Sequence, residues 1–105
     1  MKINATWDSF TGPNGETYKR IVVSKKASNW QFRRIARHVN KKLGGEWVRK
    51  IDDTDQRYWD LAAGSALITL HYEHDFGISI YPTECENASL QSLGLMEEAY
   101  RACSS

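Results

Sequence analysis

The chain has 105 residues, 41% of them hydrophobic and 26% charged, with a formal net charge of +1. That is ordinary globular usage, enough for one core and too little for two, so a single domain is expected and neither a disordered nor a fibrous chain is favoured. Apolar runs are only a few residues long, against the roughly 20 that a membrane-spanning helix needs, so no membrane span can be placed.

The opening residues MKINATWDSF interleave polar and apolar positions and lack the apolar stretch of a secretory signal, which predicts a cytoplasmic protein. Lys2 to Trp7 reads as a first strand with Ile3, Ala5 and Trp7 on one face, and Tyr18 to Ser24 as a second with Ile21 and Val23 on one face. Between them "TGPNGE", residues 11–16, supplies the turn of a hairpin.

The segment "SNWQFRRIARHVNKKLGG" predicts a helix from about Ser28 to Leu43. Ser28 and Gln31 form a capping box, Phe32, Ile35, Ala36, Val39 and Leu43 recur at helical spacing, and Gly44 supplies a left-handed stop. Arg33, Arg34, Arg37, Lys41 and Lys42 are left for the flanks and outer face.

After the helix, "EWVRKI" and "RYWDLAAG" predict two strands around the acidic turn Asp52 to Gln56. In the first, Trp47, Arg49 and Ile51 share one side, and the sequence leaves open which side that is. In the second, Trp59 is in phase with Leu61 and is assigned to the core. Residues 66–73 and 77–82 predict two more strands, and a second helix falls within Ala88 to Cys103 with Leu90, Leu93, Met96 and Tyr100 as its stripe. The order is ββαββββα. It predicts an α+β fold, a largely antiparallel five- to six-stranded sheet with both helices packed on one face.

"LITLHYEHDFGISIYP", residues 67–82, gathers His71, Glu73 and His74 between two strands. Ile68, Leu70 and Tyr72 face one way, and Thr69, His71 and Glu73 the other. For Ile78 and Ile80 to share the apolar face, the loop must have an odd number of residues. A three-residue loop, His74 to Phe76 with Gly77 at a bulge, pairs Tyr72 with Ile78 and His71 with Ser79. His71 and Glu73 then share the polar face while His74 stays in the loop. No tetrahedral ligand set converges there, so neither a metal nor a cofactor is expected. Cys85 and Cys103 lack C-x-x-C spacing and read as free thiols rather than a disulfide.

The uncovered sheet face, with His71, Glu73 and Tyr81 joined by Trp47 and Arg49, resembles protein-recognition surfaces, in which aromatic residues and Arg dominate. A non-catalytic module binding another protein, as a monomer or homodimer, is the first reading. Nine Lys or Arg and no acidic residue lie between Thr17 and Gly45, which supports an alternative. In it, Arg33, Arg34, Arg37, Lys41 and Lys42 contact nucleic-acid phosphates. A small enzyme using His71 and Glu73 as an acid/base pair is the third reading.

The stretch "WDLAAGSALITLHYEHDFGISIYP", residues 59–82, resembles the strand and hairpin pattern of small bacterial immunity-type proteins of polymorphic toxin systems. The resemblance covers under a quarter of the chain and implies a non-enzymatic protein that binds and blocks a toxin. Such proteins are often acidic when the toxin is a nuclease, and this chain is not.

Overall fold

The computed structural model describes residues 3–84 and 88–104. Its elements run β1 (Thr6–Thr11), β2 (Thr17–Ser24), α1 (Asn29–Leu43), β3 (Glu46–Asp52), β4 (Gln56–Ala63), β5 (Ala66–Glu73), β6 (Gly77–Pro82) and α2 (Leu90–Ala102). The six strands form one sheet in the order β1-β2-β6-β5-β4-β3, every neighbouring pair antiparallel. This is the expected α+β layout. The chain leaves β2, crosses one face of the sheet as α1, and returns from the far edge through the meander β3 to β6. That meander brings β6 back beside β2.

The helix is built as its sequence dictates. Ser28 Oγ accepts from the Gln31 N–H, Gln31 Oε1 accepts from the Ser28 N–H, and Gly44 closes the last turn at φ 70°. Phe32, Ile35, Ala36 and Val39 are buried against Ile21, Leu61, Leu70, Ile78 and Ile80 of the sheet, and Leu95, Met96 and Ala99 of α2 complete the same core. Trp59 is buried as expected, edge-on to Phe32 at 4.9 Å between ring centroids. Asp52 holds the outer corner of this layer: it accepts from Trp59 Nε1 at 2.8 Å and pairs with Arg57 at 2.6 Å.

Three local expectations are corrected. The first strand spans Thr6–Thr11 rather than Lys2 to Trp7. Ile3 and Ala5 are buried, but the Ala5 N–H goes to the Cys103 carbonyl at the end of α2, so this segment belongs to the helical layer. The stripe of α2 is rotated: Ser92, Leu95, Met96 and Ala99 face inward, while Leu90 and Leu93 are exposed. Ser92 Oγ accepts the Leu67 N–H at 2.9 Å, which fixes the helix with a polar residue turned to the sheet. Third, β3 carries an irregularity between Trp47 and Arg49, with consequences for the site.

Among the described residues no helix is long and apolar enough to cross a membrane. Cys103 is a free, buried thiol whose pKa burial pushes up to about 11. Cys85 lies outside the described residues.

Candidate functional site

Both helices cover the sheet face that carries Ile21, Leu70 and Ile80, so the opposite face is left without a helical layer. Strand alternation sets what it shows. On β5 these are Thr69, His71 and Glu73. The hairpin has the register its odd loop requires, with Tyr72 opposite Ile78, His71 opposite Ser79 and Thr69 opposite Tyr81. Gly77 takes the positive φ of 90° that the bulge needs. On the other flank of β5, Tyr58 and Asp60 of β4 stand opposite His71 and Thr69.

A row of rings crosses this face. Tyr58 stacks on His71 at 4.2 Å, His71 meets Tyr81 edge-on at 5.8 Å, and Tyr81 lies 5.6 Å from Phe10. Phe10 in turn is 5.9 Å from Tyr18, and the Arg20 guanidinium lies 5.9 Å from the Phe10 ring. The row draws on β4, β5, β6, β1 and β2. It exists because the strand order returns β6 to the side of the N-terminal hairpin.

His71 lies between Tyr58 and Tyr81 in the row. Its Nδ1 is 3.3 Å from the Tyr81 hydroxyl, whereas Nε2 is buried without a hydrogen-bond partner. Burial disfavours the charged imidazolium and lowers its pKa from 6.5; the Glu73 carboxylate works against this and the Arg20 charge adds to it. Tyr58 shifts the other way, its phenol held above 10.0 by burial and by Glu73 and Asp53. Both shifts favour the neutral ring. Beside His71 a cleft of about 370 Å³ opens between β2 and the β5–β6 turn, lined by Asp8, Arg20, Lys25, Glu73 and Phe76 among others. Arg20 Nη2 is tied to Asp8 at 3.3 Å, while its Nε is buried without a partner.

The environment of His71 gives a signed expectation. Followed by NMR, the imidazole titrates with a midpoint below 6.5; Tyr58→Ala moves that midpoint up by admitting water, and Glu73→Gln moves it further down. A folded-state pKa below the unfolded one means that the unfolded chain binds more protons. The neutral ring's contribution to stability is thus complete above pH 6.5 and declines as pH falls through the folded midpoint. A midpoint at or above 6.5 contradicts this account.

Of the residues proposed from sequence for protein binding, His71, Glu73, Tyr81 and Arg49 are on this face and Trp47 is not. Trp47 pairs with Leu61 and Arg49 with Asp60, so the bulge at Val48 reverses the alternation between them. Trp47 points to the helical layer, 5.5 Å from Trp59. Arg49 stands on the open side above Asp60, which is 7% exposed and accepts from Thr69 Oγ1 at 2.7 Å. Sequence reasoning missed Phe10 and Tyr58. Tyr58 was detectable from its phase with Asp60; Phe10 was hidden because the first strand was placed four residues too early.

Arg33, Arg34, Arg37, Lys41 and Lys42 are exposed on α1, behind the sheet and away from the ring row. Arg34 sits 5.3 Å over the exposed Trp30 ring. Arg33, Arg37 and Asn40 line a groove of about 250 Å³ with Trp47 and Trp59. Two distinct surfaces thus occupy opposite sides of the molecule. The His71 and Glu73 side chains share a face, but the hydrogen bond of His71 is to Tyr81. Among the described residues no three His, Cys, Asp or Glu are grouped to hold a metal ion, and His74 lies in the exposed turn. Comparison of the chain with protein-family models, curated proteins and solved structures finds no match.

Proposed function

We propose that the chain is a non-catalytic module that binds another protein through the open face of its sheet. The observation carrying this reading is the ring row from Tyr58 to Tyr18, bordered by Arg20 and Arg49. Rigid aromatic rings offer large contact area with little side-chain entropy to lose, and with Arg they dominate the energetics of protein interfaces. The resemblance of residues 59–82 to immunity-type proteins runs in the same direction, toward a protein that binds and blocks a toxin.

The second reading, nucleic-acid binding through α1, is favoured by one observation: Trp30 and Arg34 present a ring and a cation together beside Arg33 and Arg37. Base stacking and phosphate neutralisation use that combination.

One experiment separates the two. Tagged chain and two variants, His71→Ala/Tyr81→Ala and Arg34→Glu/Arg37→Glu, are used to capture partners from the native lysate, with and without nuclease. The expected result is a stoichiometric protein that survives nuclease, is retained by the helix variant, and is reduced roughly tenfold or more by the sheet variant, since central aromatic truncations commonly cost over about 2 kcal/mol. Material lost on nuclease treatment and on changing the helix transfers the function to α1. Capture that ignores the sheet variant removes the open face from consideration.

A further inference from the structure

We infer that the groove between α1 and the strands β3 and β4 is a site for single-stranded nucleic acid, in which Arg33 and Arg37 hold phosphates and a base lies against Trp47. The inference rests on the nucleic-acid reading of α1 and gives that reading its ligand. It is independent of the open sheet face on the other side of the molecule.

The groove encloses about 250 Å³ between Arg33, Ala36, Arg37 and Asn40 of α1 and the rings of Trp47 and Trp59. The groups that would bind are reachable, since Arg33 and Arg37 are exposed and Trp47 is partly so. None of the lining residues is acidic. Among the described residues neither arginine is in an ion pair, and Asp52, at the Trp59 end, is already engaged by Trp59 Nε1 and Arg57. The Lys50 ammonium, 4.2 Å from the Trp59 ring centre, adds a third cation beside the groove. An entering anion thus meets free positive charge.

The rings decide which anion fits. Trp47 is in the groove because the irregularity in β3 turns it to the helical side. It meets Trp59 at an interplanar angle of 70°, and among the described residues no ring lies parallel to it. Trp30, 64% exposed, shares the flank of α1 with Arg33 and Arg37 by its i, i+3, i+7 spacing. Two indoles with two guanidiniums between them suit the alternation of base and phosphate along a strand. The space is smaller than the ~300–1,000 Å³ that encloses a whole small molecule, so it takes one unit of a longer ligand. A duplex fits less well: its bases are stacked on one another, and Arg33 and Arg37 flank the buried Ala36 rather than crown the helix as groove-reading side chains do.

The test uses the full chain and a fluorescein-labelled oligonucleotide of about ten nucleotides, single-stranded or annealed, with binding followed by anisotropy. The expected result is single-strand binding roughly tenfold or more tighter than duplex binding, falling roughly sevenfold or more between about 50 and about 200 mM salt, as two phosphate contacts require. Arg33→Gln and Arg37→Gln should each weaken it roughly threefold or more, and Lys42→Gln, on the far side of α1, by under about twofold. Trp47→Ala should weaken it roughly fivefold or more. In the ¹⁵N-labelled native chain the Trp47 indole N–H should shift saturably with added strand, a readout that does not depend on whether the Trp47 variant folds. Duplex bound as tightly as single strand, with the Trp47 signal still, removes the groove site and leaves the α1 reading standing. Binding to neither form at low salt removes both. Equal losses in the Lys42 and arginine variants, or a polyglutamate peptide that displaces the strand and shifts the Trp47 signal at lower concentration, also overturns the assignment.

Discussion

Gly77→Ala is expected to destabilise the chain by about 3 kcal/mol or more, because two independent costs fall on one atom. The residue has φ 90°, where any Cβ is strained by about 1–2 kcal/mol. The added Cβ would also lie 1.9 Å from the Ser24 carbonyl oxygen and 2.7 Å from the Lys25 carbonyl carbon, both backbone atoms that cannot rotate away. Relief requires β6 to move off β2 at the seam that joins the N-terminal hairpin to the meander. Urea denaturation checks this directly, with Gly64→Ala as the control. Gly64 also has a positive φ, 61°, but its Cβ would meet open space, so only the strain of about 1 kcal/mol remains. Equal losses in the two variants would show that steric approach at the seam contributes nothing. Because Gly77 also lines the cleft beside His71, its variant should disturb the signals of Arg20 and His71 even where the fold survives.

Phe32→Ala carries the other large effect. The ring is 0% exposed, edge-on to Trp59 at 4.9 Å and 5.8 Å from Tyr72, so truncation opens a cavity at the junction of α1, β4 and β5. Losses of about 3–5 kcal/mol are typical of such a change. Against a total stability of roughly 5–15 kcal/mol for a domain, that removes between about a fifth and all of it. The denaturation midpoint should fall sharply with little change in slope, and Phe32→Leu should recover more than half of the loss. A stability loss of under about 1 kcal/mol would mean that the neighbouring rings close over the space.

The elements that sequence made legible were those governed by local rules. α1 was readable because cap, stripe and stop all agree on one helix. The β5–β6 register was readable because an odd loop is the only way to bring Ile78 and Ile80 to the side of Leu70, and parity is a strict constraint. What escaped depended on long-range geometry. Trp47 was grouped with Arg49 from simple alternation, and one extra residue at Val48 sent the two to opposite faces. The stripe of α2 was read from Leu90 and Leu93, whereas the chain turned Ser92 inward to satisfy a strand N–H. Of the candidate site, His71, Glu73 and Tyr81 were visible as neighbours within one hairpin. Phe10 could not be joined to them, because nothing local says that β6 returns to pair with β2.

That return has a consequence for how the chain assembles. Ile21 pairs with Ile80, so the contact that completes the sheet closes a loop of about 60 residues, a slow step compared with forming either hairpin. On a ribosome, β1, β2 and α1 emerge well before the strand that secures them. Until β6 arrives, the inner edge of β2 is an unpaired strand edge, open to pairing with another chain. The interval between residue 24 and residue 77 is therefore when the nascent molecule is most exposed to self-association, and when a chaperone has most to protect.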